Sequence, residues 1–110
     1  MSDLARKRCI PCREGTPPLS NEEAARLLAD LDGWQITAAP RLAKQWKLED
    51  FRSALALVNT IGEIAEAEDH HPDITLSWGR VGVELWTHTA GGLTENDFII
   101  AAKIDEAGSR

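Results

Sequence analysis

The chain has 110 residues, 43 % of them hydrophobic and 27 % charged, which suits one domain with a buried core and excludes a disordered polymer. Eighteen acidic residues against 12 basic ones leave a net charge of −6, so the surface should repel phosphate backbones and no direct nucleic-acid partner is expected. The start, M-S-D-L-A-R-K-R-C, lacks the apolar core of a secretory signal, and no segment approaches membrane-spanning length; a cytoplasmic protein with no membrane partner is expected.

Residues 1–19 read as an irregular arm, because Pro11, Pro17 and Pro18 disfavour regular structure. Cys9 and Cys12 form a C-x-x-C within it. A redox motif belongs at a helix start after a strand, and a zinc site needs a second ligand pair, so two incidental thiols are the preferred reading and no metal is expected. Residues 20–110 form the domain. Ser20 and Glu23 stand in capping-box spacing, predicting a helix from Asn21 with Leu27, Leu28 and Leu31 inward and Gly33 as its end. W-Q-I-T-A-A-P-R-L-A-K-Q-W-K-L alternates weakly around Pro40 and predicts two antiparallel strands.

The clearest helix covers E-D-F-R-S-A-L-A-L-V-N-T-I-G-E-I-A-E-A-E-D. Phe51, Leu55, Val58, Ile61 and Ala65 recur at three- and four-residue steps. Gly62 within it suggests a backbone that passes close by, and Pro72 places the helix end at or just before His70 and His71. D-I-T-L-S-W-G-R-V-G-V-E-L-W-T-H then predicts a hairpin turning at Gly79-Arg80, with Trp78 facing Val81, Leu76 facing Val83 and Ile74 facing Leu85 on the core side. Thr94 and Asp97 have the spacing of a cap before a last helix, F-I-I-A-A-K-I-D-E-A, with Phe98, Ile99, Ala102 and Ile104 inward. The order α-β-β-α-β-β-α predicts an α+β fold: a four-stranded antiparallel sheet with three helices packed on one face.

That register has a chemical consequence. Counting outward from the turn sets His71 opposite His88 on the face away from the core, with Glu84 and Trp86, while the direction of His70 at the helix–strand junction stays open. These are the chain's three histidines. A histidine at a helix C-terminus is favoured by the dipole alone, which accounts for His70 but not for His88. Glu66, Glu68, Asp69 and Asp73 surround the pair and suit imidazolium better than metal ligation. With both forms of imidazole available near neutrality, acid–base chemistry fits best.

These residues resemble a known signature. E-A-E-D-H-H-P, the aromatic Trp78, and T-H-T-A-G-G-L-T-E-N-D are similar to the motif of the pterin-4a-carbinolamine dehydratases (4a-hydroxytetrahydrobiopterin dehydratases), and the likeness extends through L-D-G-W and K-Q-W-K-L-E-D-F to cover about residues 20–107. The resemblance implies a hydro-lyase that dehydrates 4a-hydroxytetrahydropterin to quinonoid dihydropterin, recycling the tetrahydropterin of aromatic amino acid hydroxylases with no cofactor. It also implies that His70, His71 and His88 are the catalytic histidines, with His70 and His88 moving protons at the hydroxyl and N5, and His71 binding the pterin; these roles permute without changing the chemistry. Trp34 matches a position that either stacks on the pterin or packs in the core. Asp97 matches an acidic position that either caps the helix or supports the site. Ile74 and Thr75 depart from the aromatic residues common in the family, and Ala90 precedes Gly91 as a second departure; both bear on pocket shape. The family forms dimers and tetramers, so a homo-oligomer is expected. Animal members also bind a homeodomain transcription factor, which makes a non-catalytic interaction protein the alternative.

Overall fold

The computed structural model describes residues 3–10 and 16–108; Cys12 lies outside the described residues. Ser20 Oγ accepts the Glu23 N–H at 3.2 Å while the Glu23 carboxylate accepts the Ser20 N–H at 3.1 Å, so helix α1 (Asn21–Leu28) opens with a complete capping box. It stops short of Gly33. The amides of Asp30 and Leu31 bond to the carbonyls of Leu27 and Leu28, three residues back, and this tightened turn ends the helix. Gly33, at φ 79°, serves the bend into Trp34.

Strands β1 (Gln35–Ile36) and β2 (Leu42–Lys47) follow, then helix α2 (Phe51–Glu68), strands β3 (Asp73–Ser77) and β4 (Arg80–Leu85), a 3-10 turn at His88–Ala90, and helix α3 (Glu95–Gly108). The Asp50 carboxylate accepts the Ser53 N–H and caps α2. At the other end Asp69 takes a left-handed conformation, φ 52° and ψ 40°, which turns the chain sharply at the last residue before the histidine pair.

The four strands form one antiparallel sheet in the order β1-β2-β4-β3, the α+β architecture read from the sequence. The hairpin turns at Trp78-Gly79 instead of Gly79-Arg80: Ser77 pairs with Arg80, Leu76 with Val81 and Ile74 with Val83. Gly79 adopts φ 70° and its carbonyl accepts the Leu48 N–H, so the glycine occupies the second turn position. The register is therefore shifted by two residues from the expected one. An even shift keeps every side chain on its predicted face, and Val81, Val83 and Leu85 are buried. Trp78, expected in the core, becomes a turn residue and is 72 % exposed.

The core lies between the sheet and the helices. Residues Asp97 to Ala102 of α3 are all buried, which explains the unbroken F-I-I-A-A: a helix covered on every side needs no polar stripe. Part of the cover comes from the arm. Residues Asp3–Arg6 form a 3-10 turn packed on α3, Leu4 joins the core cluster, and Lys103 Nζ donates to the Ala5 carbonyl at 2.8 Å. On α2 the buried stripe is Ala54, Ile61 and Ala65, whereas Phe51 and Leu55 are 46 % and 41 % exposed. Gly62 has open space where a Cβ would stand, so no described backbone passes close by. Among the described residues no helix is long and apolar enough to cross a membrane.

Candidate active site

Three segments converge beyond the ends of β3 and β4. The left-handed Asp69 and Pro72 confine His70 and His71 to a short irregular bridge between α2 and β3. His88 arrives differently. Extending the observed pairing by two residues past Asp73 and Glu84 would set His71 against Trp86, and β4 ends at Leu85. His88 instead opens a 3-10 turn that folds back, held by the Thr87 N–H on the Gly92 carbonyl at 2.8 Å. A loop, not a ladder pair, thus delivers the third imidazole. All three histidines line one open cleft of about 420 Å³.

Each ring is held in a different way. His70, whose side chain is 14 % exposed, donates from Nε2 to Oδ1 of Asp97 at 2.7 Å. Asp97 is fully buried, and its Oδ2 accepts both the Thr87 hydroxyl and the Thr94 N–H, each at 2.9 Å. Since Thr87 spends its one proton on Asp97, the 2.7 Å contact between the two threonine hydroxyls runs from Thr94 to Thr87. Asp97 therefore caps α3 and orients His70 at once, one oxygen for each task, and the buried carboxylate is fully provided with donors. His71 is exposed and its Nε2 pairs with Glu66. His88 is also exposed, with its ring 4.3 Å from that of Trp86 and tilted 33° to it. The Arg41 guanidinium sits 3.9 Å from the Trp86 ring centre and pairs with Glu84 at 2.7 Å. Neither ring nitrogen of His88 has a hydrogen-bond partner among the described residues, leaving both to a ligand.

Trp34 is not at this site. It is buried in the core, edge-on to Trp46 with centroids 5.7 Å apart, and its Nε1–H donates to Asp105 at 2.9 Å. Glu68 lines the cleft, where its carboxylate accepts the Cys9 N–H at 2.8 Å. Six lining residues, Cys9, Ile10, Trp86, Thr87, Thr89 and Asn96, had no assigned role in the sequence. Trp86 was legible as sharing the histidine face, whereas Cys9 and Ile10 reach the cleft through contacts spanning most of the chain, for which no local pattern exists. Among the described residues no group of three or more His, Cys, Asp or Glu side chains is arranged to hold a metal ion.

Comparison with known proteins gives a consistent picture. The family model described as Pterin 4 alpha carbinolamine dehydratase matches residues 17–107. A Rubrobacter xylanophilus protein, named "Putative pterin-4-alpha-carbinolamine dehydratase", is 48 % identical over 105 residues, covering 96 % of this chain and 98 % of its own. A Rickettsia canadensis protein of the same name is 50 % identical over 106 residues, covering 96 % and 97 %. A crystal structure of a transcriptional coactivator/pterin dehydratase from Brucella melitensis superposes with a TM-score of 0.77 at 33 % identity, covering 81 % of this chain and 96 % of that one. A pterin dehydratase-like protein described as a RuBisCO assembly factor of the alpha-carboxysome shares the fold, with a TM-score of 0.59 at 21 % identity and coverage of 68 % and 88 %.

Proposed function

Given that the chain belongs to the pterin-4-alpha-carbinolamine dehydratase family, we propose that it is a hydro-lyase that converts 4a-hydroxytetrahydropterin to quinonoid dihydropterin and water, with His70, His71 and His88 as its working groups. The observation that carries this reading is the convergence of all three imidazoles on one cleft, with the buried Asp97 behind one of them. The reaction needs a proton delivered to the C4a hydroxyl, cleavage of the C4a–O bond, closure of a C4a=N5 double bond by the N5 electron pair, and removal of the N5 proton. One group gives a proton and another takes one, so the pair of protein groups ends with unchanged total charge. No redox partner enters the balance.

His88 suits proton exchange with the ligand because it lines the cleft and neither ring nitrogen has a hydrogen-bond partner among the described residues. His70 offers Nδ1 while Asp97 holds Nε2, so the carboxylate fixes the ring and offsets positive charge that develops on it. His71, the exposed ring paired with Glu66, is assigned to binding. Trp86, stacked beside His88, adds a flat apolar surface suited to a bicyclic ring. The physiological role that follows is recycling of the tetrahydropterin used by an aromatic amino acid hydroxylase, inside the cytoplasm. The test follows loss of the 4a-hydroxy adduct, made in situ by a hydroxylase, with the wild type and with His88→Ala. Wild-type acceleration over the spontaneous rate, largely lost in the variant, supports the assignment; equal rates at the spontaneous level overturn it.

A second reading, a non-catalytic interaction protein, draws support from the exposed side chains of Phe51, Leu55 and Trp78, apolar area that a partner would cover. The same residues suit a homodimer or homotetramer of an active enzyme, and retention of three histidines in one cleft favours that version.

A further inference from the structure

The arm meets the histidine cleft outside the span that the family model matches. Cys9 and Ile10 line the cleft together with the three histidines. The arm is tied there by side chains from both helices: Lys7 Nζ to Glu95 at 2.9 Å, the Cys9 N–H to Glu68 at 2.8 Å, and a double link to Asn96. In that link the Asn96 side chain accepts the Ile10 N–H at 2.9 Å and donates to the Ile10 carbonyl at 2.6 Å. This is the two-point pairing that a neighbouring strand would make, and it sets the direction of the Ile10 backbone. Ile10 itself is 70 % exposed. Phe51, Leu55 and Trp78, the other large apolar residues exposed among those described, do not line the cleft.

We propose that Ile10 is a specificity-determining contact of this site, presented by the tethered arm to the substituent that the pterin ring carries. The proposal rests on the pterin reading above and names what that reading leaves open, the part of the substrate beyond the reacting ring. Proton transfer at C4a and N5 calls for the imidazoles, and the ring's polar edge calls for hydrogen-bonding groups. An apolar side chain held at a solvent-facing rim serves neither. It serves a carbon substituent that projects from the ring toward the mouth, where covering both surfaces removes apolar area from water.

The experiment compares two pterins, one with a dihydroxypropyl substituent at C6 and one with hydrogen there. Affinity of the dihydro forms is measured by tryptophan fluorescence, and kcat/KM by dehydration of their 4a-hydroxy adducts, for wild type, Ile10→Ala and Asn96→Ala. The preference for the substituted pterin should fall about three- to tenfold in Ile10→Ala, the scale of a few apolar carbons at a half-open rim. Asn96→Ala, which unties the arm, should shift the preference in the same direction. Circular dichroism confirms that the variants remain folded, and Ile10→Gln serves as a second exposed substitution at the same rim. An unchanged preference in both Ile10 variants overturns the proposal and makes the arm a brace only. If the wild type binds pterins without accelerating dehydration, the catalytic reading fails while the binding ratio still decides the role of Ile10; if it binds neither pterin, both fall.

Discussion

Nε2 of His70 and Oδ1 of Asp97 lie 2.7 Å apart across 27 residues of chain, and the carboxylate that makes this bond also accepts the N–H of Thr94, the residue just before α3. Helix capping and imidazole orientation are thus one structural act. Asp97→Asn keeps the shape but replaces one acceptor with a donor that meets either His70 or the Thr87–Thr94 pair. The expected result is a fall in kcat of about tenfold or more, part of the 10²–10⁴-fold that a well-placed acid or base supplies, together with a lower melting temperature. Asp97→Ala should lose about 3 kcal/mol or more, since it strands several buried donors. Steady-state kinetics and thermal unfolding on the same preparations separate the two effects.

The histidines should not be equivalent. His88→Ala removes an exposed ring and leaves space open to solvent, so added imidazole should restore part of the lost activity. His70→Ala removes a ring of which only 14 % is exposed, and rescue there should be weaker. Each single change is expected to cost about 10²-fold, and the double change more than either alone. A double variant no slower than the His88→Ala single would contradict separate roles.

Two helix starts should respond to acid. The Ser20 backbone N–H, and then its hydroxyl, holds the Glu23 carboxyl below the usual carboxylate range, and the Ser53 N–H and hydroxyl act likewise on Asp50. A carboxyl whose pKa is lower folded than unfolded adds stability that is complete above the unfolded value and disappears as pH falls through the folded one. The first turns of α1 and α2 should therefore loosen below about pH 4. Amide exchange of Ser20 and Ser53, whose N–H groups the two carboxylates accept, checks this across that range, with Glu23→Gln and Asp50→Asn flattening the respective responses.

Gly62 occupies a helix interior with room for a Cβ. Gly62→Ala should raise stability by about 0.5–1 kcal/mol through helix propensity alone. Chemical denaturation measures it. A loss of stability would place another copy of the chain against that face.

Association is the remaining expectation. Phe51, Leu55 and Trp78 stand in water at a cost that an interface would recover. Light scattering should return a multiple of the 12.1 kDa chain mass, reduced by the combined change Phe51→Ser with Leu55→Ser. A wild-type mass equal to one chain would refute the oligomer.

By itself the sequence determined the element order, the sheet faces and the neighbourhood of His70 and His71. Those depend on local rules: the Ser20 and Glu23 box, the period of α2, the alternation of Ile74, Leu76, Val81 and Val83, and the restriction that Pro72 imposes. Tertiary structure decided the rest. Whether the hairpin turned at Gly79-Arg80 or Trp78-Gly79 left the faces intact, so alternation could not choose between them; contact of Gly79 with Leu48 did. Trp34 went to the core because Asp105, 71 residues away, satisfies its indole N–H there. Ile10 reached the cleft because Asn96, 86 residues away, holds its backbone. Local pattern records what a segment prefers, but partners distant in the chain meet only when the whole core closes.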